Sequence, residues 1–119
     1  MFHDVELIER SAKVMRSEME KLLGEAARDR EESQSMLKEA QKVRSKSVDL
    51  RSADPEMAES LWEEAERLYA LGKDLLRESV DKTLKAGDIK RRLDIHDQIE
   101  ATFDYADELW KGAIKAKRS

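Results

Sequence analysis

At 119 residues the chain is long enough for one domain with a modest core. It is 42% charged and 5% aromatic, and its net charge of −4 comes from interleaved acids and bases, which excludes the basic face of a dedicated nucleic-acid binder. The lack of cysteine excludes disulfides and thiolate metal sites, and no apolar run approaches the roughly 18 residues of a membrane span.

The opening Phe2-His3-Asp4-Val5-Glu6 is too polar for a signal peptide, so a cytoplasmic protein without direct membrane insertion is expected. His3 is assigned no role. Charge-rich composition can signal disorder, but here the apolar residues, 39% of the chain, fall in a strict helical period. In the first segment Val5, Ile8, Ala12, Met15, Met19, Leu22 and Ala26 alternate steps of three and four. The same register continues through Asp29, Ser33, Met36, Ala40, Val43, Ser47 and Leu50, and its phase survives the polar patch RDREESQS. One helix over about residues 3–52 is therefore predicted, roughly 70 Å long. A break near Asp29–Ser33 would give a four-helix bundle instead.

Next comes SADP, where Asp54 can cap a helix that begins at Pro55. The following segment, about 55–85, repeats Leu61, Leu68 and Leu75, then Trp62, Tyr69 and Leu76. Ala58, Ala65, Gly72 and Ser79 add a row of small residues. In AGD, Gly87 can end that helix and Asp88 can cap the next, over about 88–116. There Ile89, His96, Phe103 and Trp110 form one row and Ile99, Ala106 and Ala113 the next, an apolar face wide enough for two neighbours. The predicted fold is all-α: a single-domain antiparallel three-helix bundle over 1–119 with an extra-long, coiled-coil-like first helix. The excess length of that helix implies a homo-oligomer or a protein partner along it.

Asp97, Glu100, Asp104 and Asp107 share a sector of roughly 80° on the last helix. A hairpin at Gly87 would set Asp74 beside Glu100, and Glu78 beside His96 and Asp97. Carboxylates and imidazole converging from two helices are the donor set with which bundles bind a divalent metal ion, so Asp74, Glu78, Asp97, Glu100 and Asp104 are the candidate ligands and His96 an additional one. Pairing of these acids with Lys73, Arg77, Arg91 and Arg92 is the plainer alternative. Lys90, Arg91 and Arg92 would oppose the dipole of a helix starting at Asp88, which points to an anionic group or a partner contact there. Triads and glycine-rich phosphate loops are absent. The acids around His96 would repel a phosphoryl group, so a phosphotransfer histidine is excluded, and no enzyme activity is expected.

The stretch IEATFDYADEL resembles the ExxxD helix of the PhoU-like family, regulators of phosphate transport encoded beside phosphate permeases, with Ile99, Glu100, Asp104 and Ala106 matching in order. LDIHDQI, with Asp97 and Ile99, and DPEMAESLWEEAERLYALGKDLLRES, with Asp74, are similar to the preceding parts of that family's pattern, so the likeness covers about residues 53–110. It implies a three-helix bundle with acidic metal sites on its surface and a regulatory role exerted through protein contacts. Ala70 stands where the family's partner helix has a glutamate, which implies a single ion at most. The alternative is a metal-free interaction or oligomerisation protein working through its long first helix.

Overall fold

A computed structural model describes the backbone of residues 2–118 and the side chains of residues 9–117. It contains two helices, α1 (Phe2–Leu50) and α2 (Pro55–Arg118), and no strand among the described residues. Helix α1 runs unbroken through Asp29–Ser33, as its periodicity predicts. The side chains of His3, Val5 and Ile8 lie outside the described residues.

The connection between the helices is built as SADP suggests. The Asp54 N–H donates to the Leu50 carbonyl at 2.8 Å, closing α1, and Asp54 Oδ1 accepts from the Met57 N–H at 3.2 Å, capping α2. Pro55 takes the first helical position, where its missing N–H leaves no hydrogen bond unmade.

The turn expected at Gly87 is not formed. Helix α2 continues through it, and no described glycine has a positive φ. The expected second and third helices are thus one, and the chain itself supplies two helices rather than three. The physical reason lies in the packing rows. Gly72, Ser79, Ala86 and Leu93 keep a seven-residue step across Gly87, as do Leu75, Lys82, Ile89 and His96. Burial favours keeping these rows in phase, and a helical glycine costs only about 1 kcal/mol relative to alanine.

The chain divides into two compact units, Lys21–Lys85 and Met1–Glu20 with Ala86–Ser119. The first is a helical hairpin whose two helices meet through small residues. Ala26, Ser33, Ala40 and Ser47 of α1 are buried, and so are Ala58, Ala65, Gly72 and Ser79 of α2. Short side chains let the two backbones approach closely. The serines show this directly. Ser33 Oγ donates to the Gly72 carbonyl at 2.6 Å, Ser79 Oγ to the Ala26 carbonyl at 2.9 Å, and Ser47 Oγ to the Ala58 carbonyl. A hydroxyl one carbon from its own backbone reaches a facing backbone only when the helices are close, and each bond satisfies a buried polar group. Trp62 closes the turn end, with the Arg44 and Arg51 guanidinium groups 4.6 and 5.5 Å from its ring centre and its Nε1 donating to Glu66.

One polar pair sits in this seam. Lys82 Nζ lies 2.7 Å from Asp29 Oδ2 and 3.7 Å from Glu25 Oε2. A slip of one heptad would set Leu22 or Met36 in place of Asp29, so Lys82 would lose its closer partner and keep only a glutamate, Glu18 or Glu32, at the position of Glu25, which disfavours wrong registers. The hydrogen bond to Asp29 raises the Lys82 pKa above its ordinary 10.5, aided by the negative charges of Asp29, Glu25 and Glu78 and opposed by burial. A raised lysine pKa contributes stability that is complete below the unfolded value and is lost as pH climbs through the folded one. The melting temperature of the wild type relative to Lys82→Met is therefore expected to stay flat across neutral and mildly alkaline pH and to fall once pH passes about 10.5.

In the second unit, Ala12, Ala86 and Leu93 are buried and Met15, Met19, Ile89 and His96 half-buried, continuing the same spacing. Arg16 pairs with Asp97 at 3.4 Å.

Candidate functional site: an uncovered apolar face on the second helix

From Asp97 to Lys117 every residue of α2 is exposed. With 64 residues against 49, α2 is the longer of the two helices. Yet this end is not polar. Phe103 and Trp110 are each 67% exposed, and Ile99, Tyr105, Leu109 and Ile114 are exposed as well. At 100° per residue, Ile95, Ile99, Phe103, Ala106, Trp110 and Ile114 fall within an arc of about 100°. Ile95, Ile99, Thr102 and Phe103 line a shallow open groove on it. The sequence marks this row as apolar, and its exposure makes it a surface.

Charge along this segment is polarised. Asp94, Asp97, Glu100, Asp104, Asp107 and Glu108 crowd its first half with no lysine or arginine among them, whereas Lys111, Lys115 and Lys117 follow with no acid. Asp107 and Glu100 border the apolar arc on one flank, with Lys111 and Asp104 farther round the helix. Lys111 Nζ lies 3.1 Å from Asp107 Oδ2, within the helix.

The residues expected to hold a metal are only partly brought together. His96, Asp97 and Glu100 each offer a ligand atom within 4.8 Å of the others. His96 is 12% exposed, its Nδ1 stands 3.5 Å from Asp97 Oδ1, and its buried Nε2 has no hydrogen-bond partner among the described residues. Asp97 also faces Arg16, and Asp104 is exposed one turn beyond Glu100. Asp74 and Glu78 do not join them. Without a turn at Gly87 they share one helix with Glu100, roughly six to seven turns away, and do not face it. Asp74 is 3.9 Å from Arg77, and Glu78 contributes to the negative field at Lys82.

The expected anion contact at Lys90, Arg91 and Arg92 also loses its premise. These residues lie inside α2, not in the first turn of a helix, so no N-terminal dipole opposes them. Arg91 pairs with Asp88 at 2.8 Å, one turn earlier on the same helix, and Lys90 and Arg92 are exposed. No helix is long and apolar enough to cross a membrane among the described residues.

Comparisons with protein-family models, with characterised proteins and with solved structures give no match for this chain.

Proposed function

We propose that this chain is a helical interaction module, not an enzyme, that completes its bundle with helices supplied by a protein partner along residues 95–114 of α2. One observation carries this reading: an apolar row containing Phe103 and Trp110 stands exposed on a face of α2 that no described residue covers. A single partner helix there would make a three-helix bundle, and a partner hairpin a four-helix one. The heptad rows of α1 are spent on α2, which moves the contact surface from the first helix, where its length alone had pointed, to the second. A PhoU-like regulatory role would act through the same surface; its support is the local sequence likeness over residues 53–110.

Both aromatic residues are exposed, so Phe103→Ser with Trp110→Ser should leave the fold intact while removing the docking row. Sedimentation of the chain in extracts of its own cells is expected to show a species larger than the monomer for the wild type and the monomer for the variant. Equal sizes for the two would defeat the reading.

A second reading is favoured by the His96, Asp97 and Glu100 cluster: a divalent ion held by one imidazole and two carboxylates, a donor set suited to Zn²⁺, Mn²⁺ or Fe²⁺. Binding to the native state alone would stabilise the protein by about 2.7 kcal/mol at a hundredfold excess over Kd. Melting curves with each metal and with EDTA should then show a rise that is lost in Glu100→Gln. No rise with any of the three ions would remove the site.

A further inference from the structure

We infer that the helical hairpin of residues 21–85 carries a second docking groove, and that its occupant is a helix of another protein, acidic on one edge and basic on the other at heptad spacing. The residues that carry this are distinct from those of the 95–114 face, so the two readings stand or fall separately.

The groove lies between the helices near the turn. Ala40 and Ser47 of α1 and Ala58 and Ala65 of α2 are buried and form its floor. Because these side chains are short, the larger ones beside them stand above the floor as walls. Trp62 lines both of two cavities, of about 680 and 260 Å³, which joins them into one groove. From Pro55 to Tyr69 it extends roughly 20 Å, or about four helical turns. That length and an apolar floor suit an amphipathic helix, which seats its apolar face through anchors three, four and seven residues apart. Tyr69, 50% exposed, and the half-buried Trp62 offer aromatic surface to it.

The walls carry opposite charge. Lys38, Arg44 and Arg51 line the groove from α1, and no acid of α1 joins them there. Glu59 and Glu66 line it from α2, where no lysine or arginine joins them. Arg44 and Arg51 rest on the Trp62 ring and Glu66 accepts from its indole N–H, but none of these five charges has an ion pair among the described residues. Arg44 and Arg51 are seven residues apart, and so are Glu59 and Glu66. Each pair therefore stands in line along its wall, roughly 10.5 Å apart. A helix with acids at that step on one edge and lysine or arginine on the other meets both walls. A nucleic-acid strand would lie against Glu59 and Glu66. The end of α2 from a second copy has acids on one flank of its apolar arc but Thr102 and Leu109 on the other, so it lacks the basic edge.

Fluorescence titration of the full chain carrying Trp110→Phe, which leaves Trp62 as its single tryptophan, tests this. The probe is a synthetic helix of about three heptads, with leucine along one face, glutamate on one edge and lysine on the other. Its addition is expected to shift the Trp62 emission to saturation. Lys38→Glu with Arg44→Glu makes both walls acidic and should weaken binding about tenfold or more, because several pairs turn from attractive to repulsive. Adding Glu59→Lys with Glu66→Lys exchanges the two walls and should restore the affinity, with the probe seated end for end. Helix content by circular dichroism confirms folding. Lys38→Glu with Gln41→Glu, two exposed positions that leave both guanidinium groups on Trp62, should weaken binding severalfold and serves if the first variant fails to fold. An emission unmoved by the probe up to about 1 mM, or an affinity indifferent to these wall changes, overturns the groove. So does a single-stranded oligonucleotide that shifts Trp62 as strongly as the probe, or an emission that changes with protein concentration alone, which would place a second copy there.

Discussion

Gly72→Leu is expected to lower the stability of the full chain by about 2–4 kcal/mol in urea denaturation, while Gly72→Ala stays within about 1 kcal/mol of the wild type. A Cβ at this position meets Leu37 Cδ2 and Cγ at 3.1 Å and Met36 Cβ at 3.4 Å. Alanine needs the flexible Leu37 side chain to give by a few tenths of an ångström, and it gains up to about 1 kcal/mol of helix propensity in exchange. Leucine adds three further carbons where the backbones are closest. Overpacking of that kind costs about 1–3 kcal/mol. It also pries Ser33 Oγ from the Gly72 carbonyl, leaving a fully buried hydroxyl without an acceptor at a further cost of about 1–3 kcal/mol. A leucine variant as stable as the wild type would mean that the helices do not approach closely at Gly72, and the account of the small-residue seam would fail with it.

The seam was largely legible in the sequence, because each of its positions is set by a step of three or four residues. Ser33 and Asp29 look like interruptions in the apolar row of α1, yet the phase they preserve carries the meaning. Ser33 bonds the facing backbone and Asp29 holds Lys82. At AGD the same test was outweighed by local punctuation. Glycine permits a turn without demanding one, and the rows on either side stay in step, so tertiary packing decides. The metal-ligand set divides along this line. His96, Asp97 and Glu100 follow from spacing within one helix and come together. Asp74 and Glu78 depended on a fold-back that does not occur. For Phe103 and Trp110, periodicity identifies an apolar face, but no pattern within one chain says what covers it, since that depends on how far the facing helix extends.

Gly87 offers the sharpest contrast between the two architectures, through substitutions whose effects differ in sign. In a continuous helix Gly87→Ala should raise stability by about 0.5–1 kcal/mol, because alanine loses less conformational freedom on folding and nothing lies within 4 Å of the added Cβ. Gly87→Pro should cost about 3 kcal/mol or more, since the ring removes a hydrogen bond and clashes with the carbonyl four residues back. At a left-handed turn, alanine would instead be destabilising by about 1–2 kcal/mol. Urea denaturation and helix content of the two variants therefore read the backbone at this residue directly. A loss of stability on Gly87→Ala would reinstate the hairpin there, and with it the facing arrangement of Asp74 and Glu100. A gain would fix α2 as one helix, with Asp74 and Glu100 roughly seven turns apart along it.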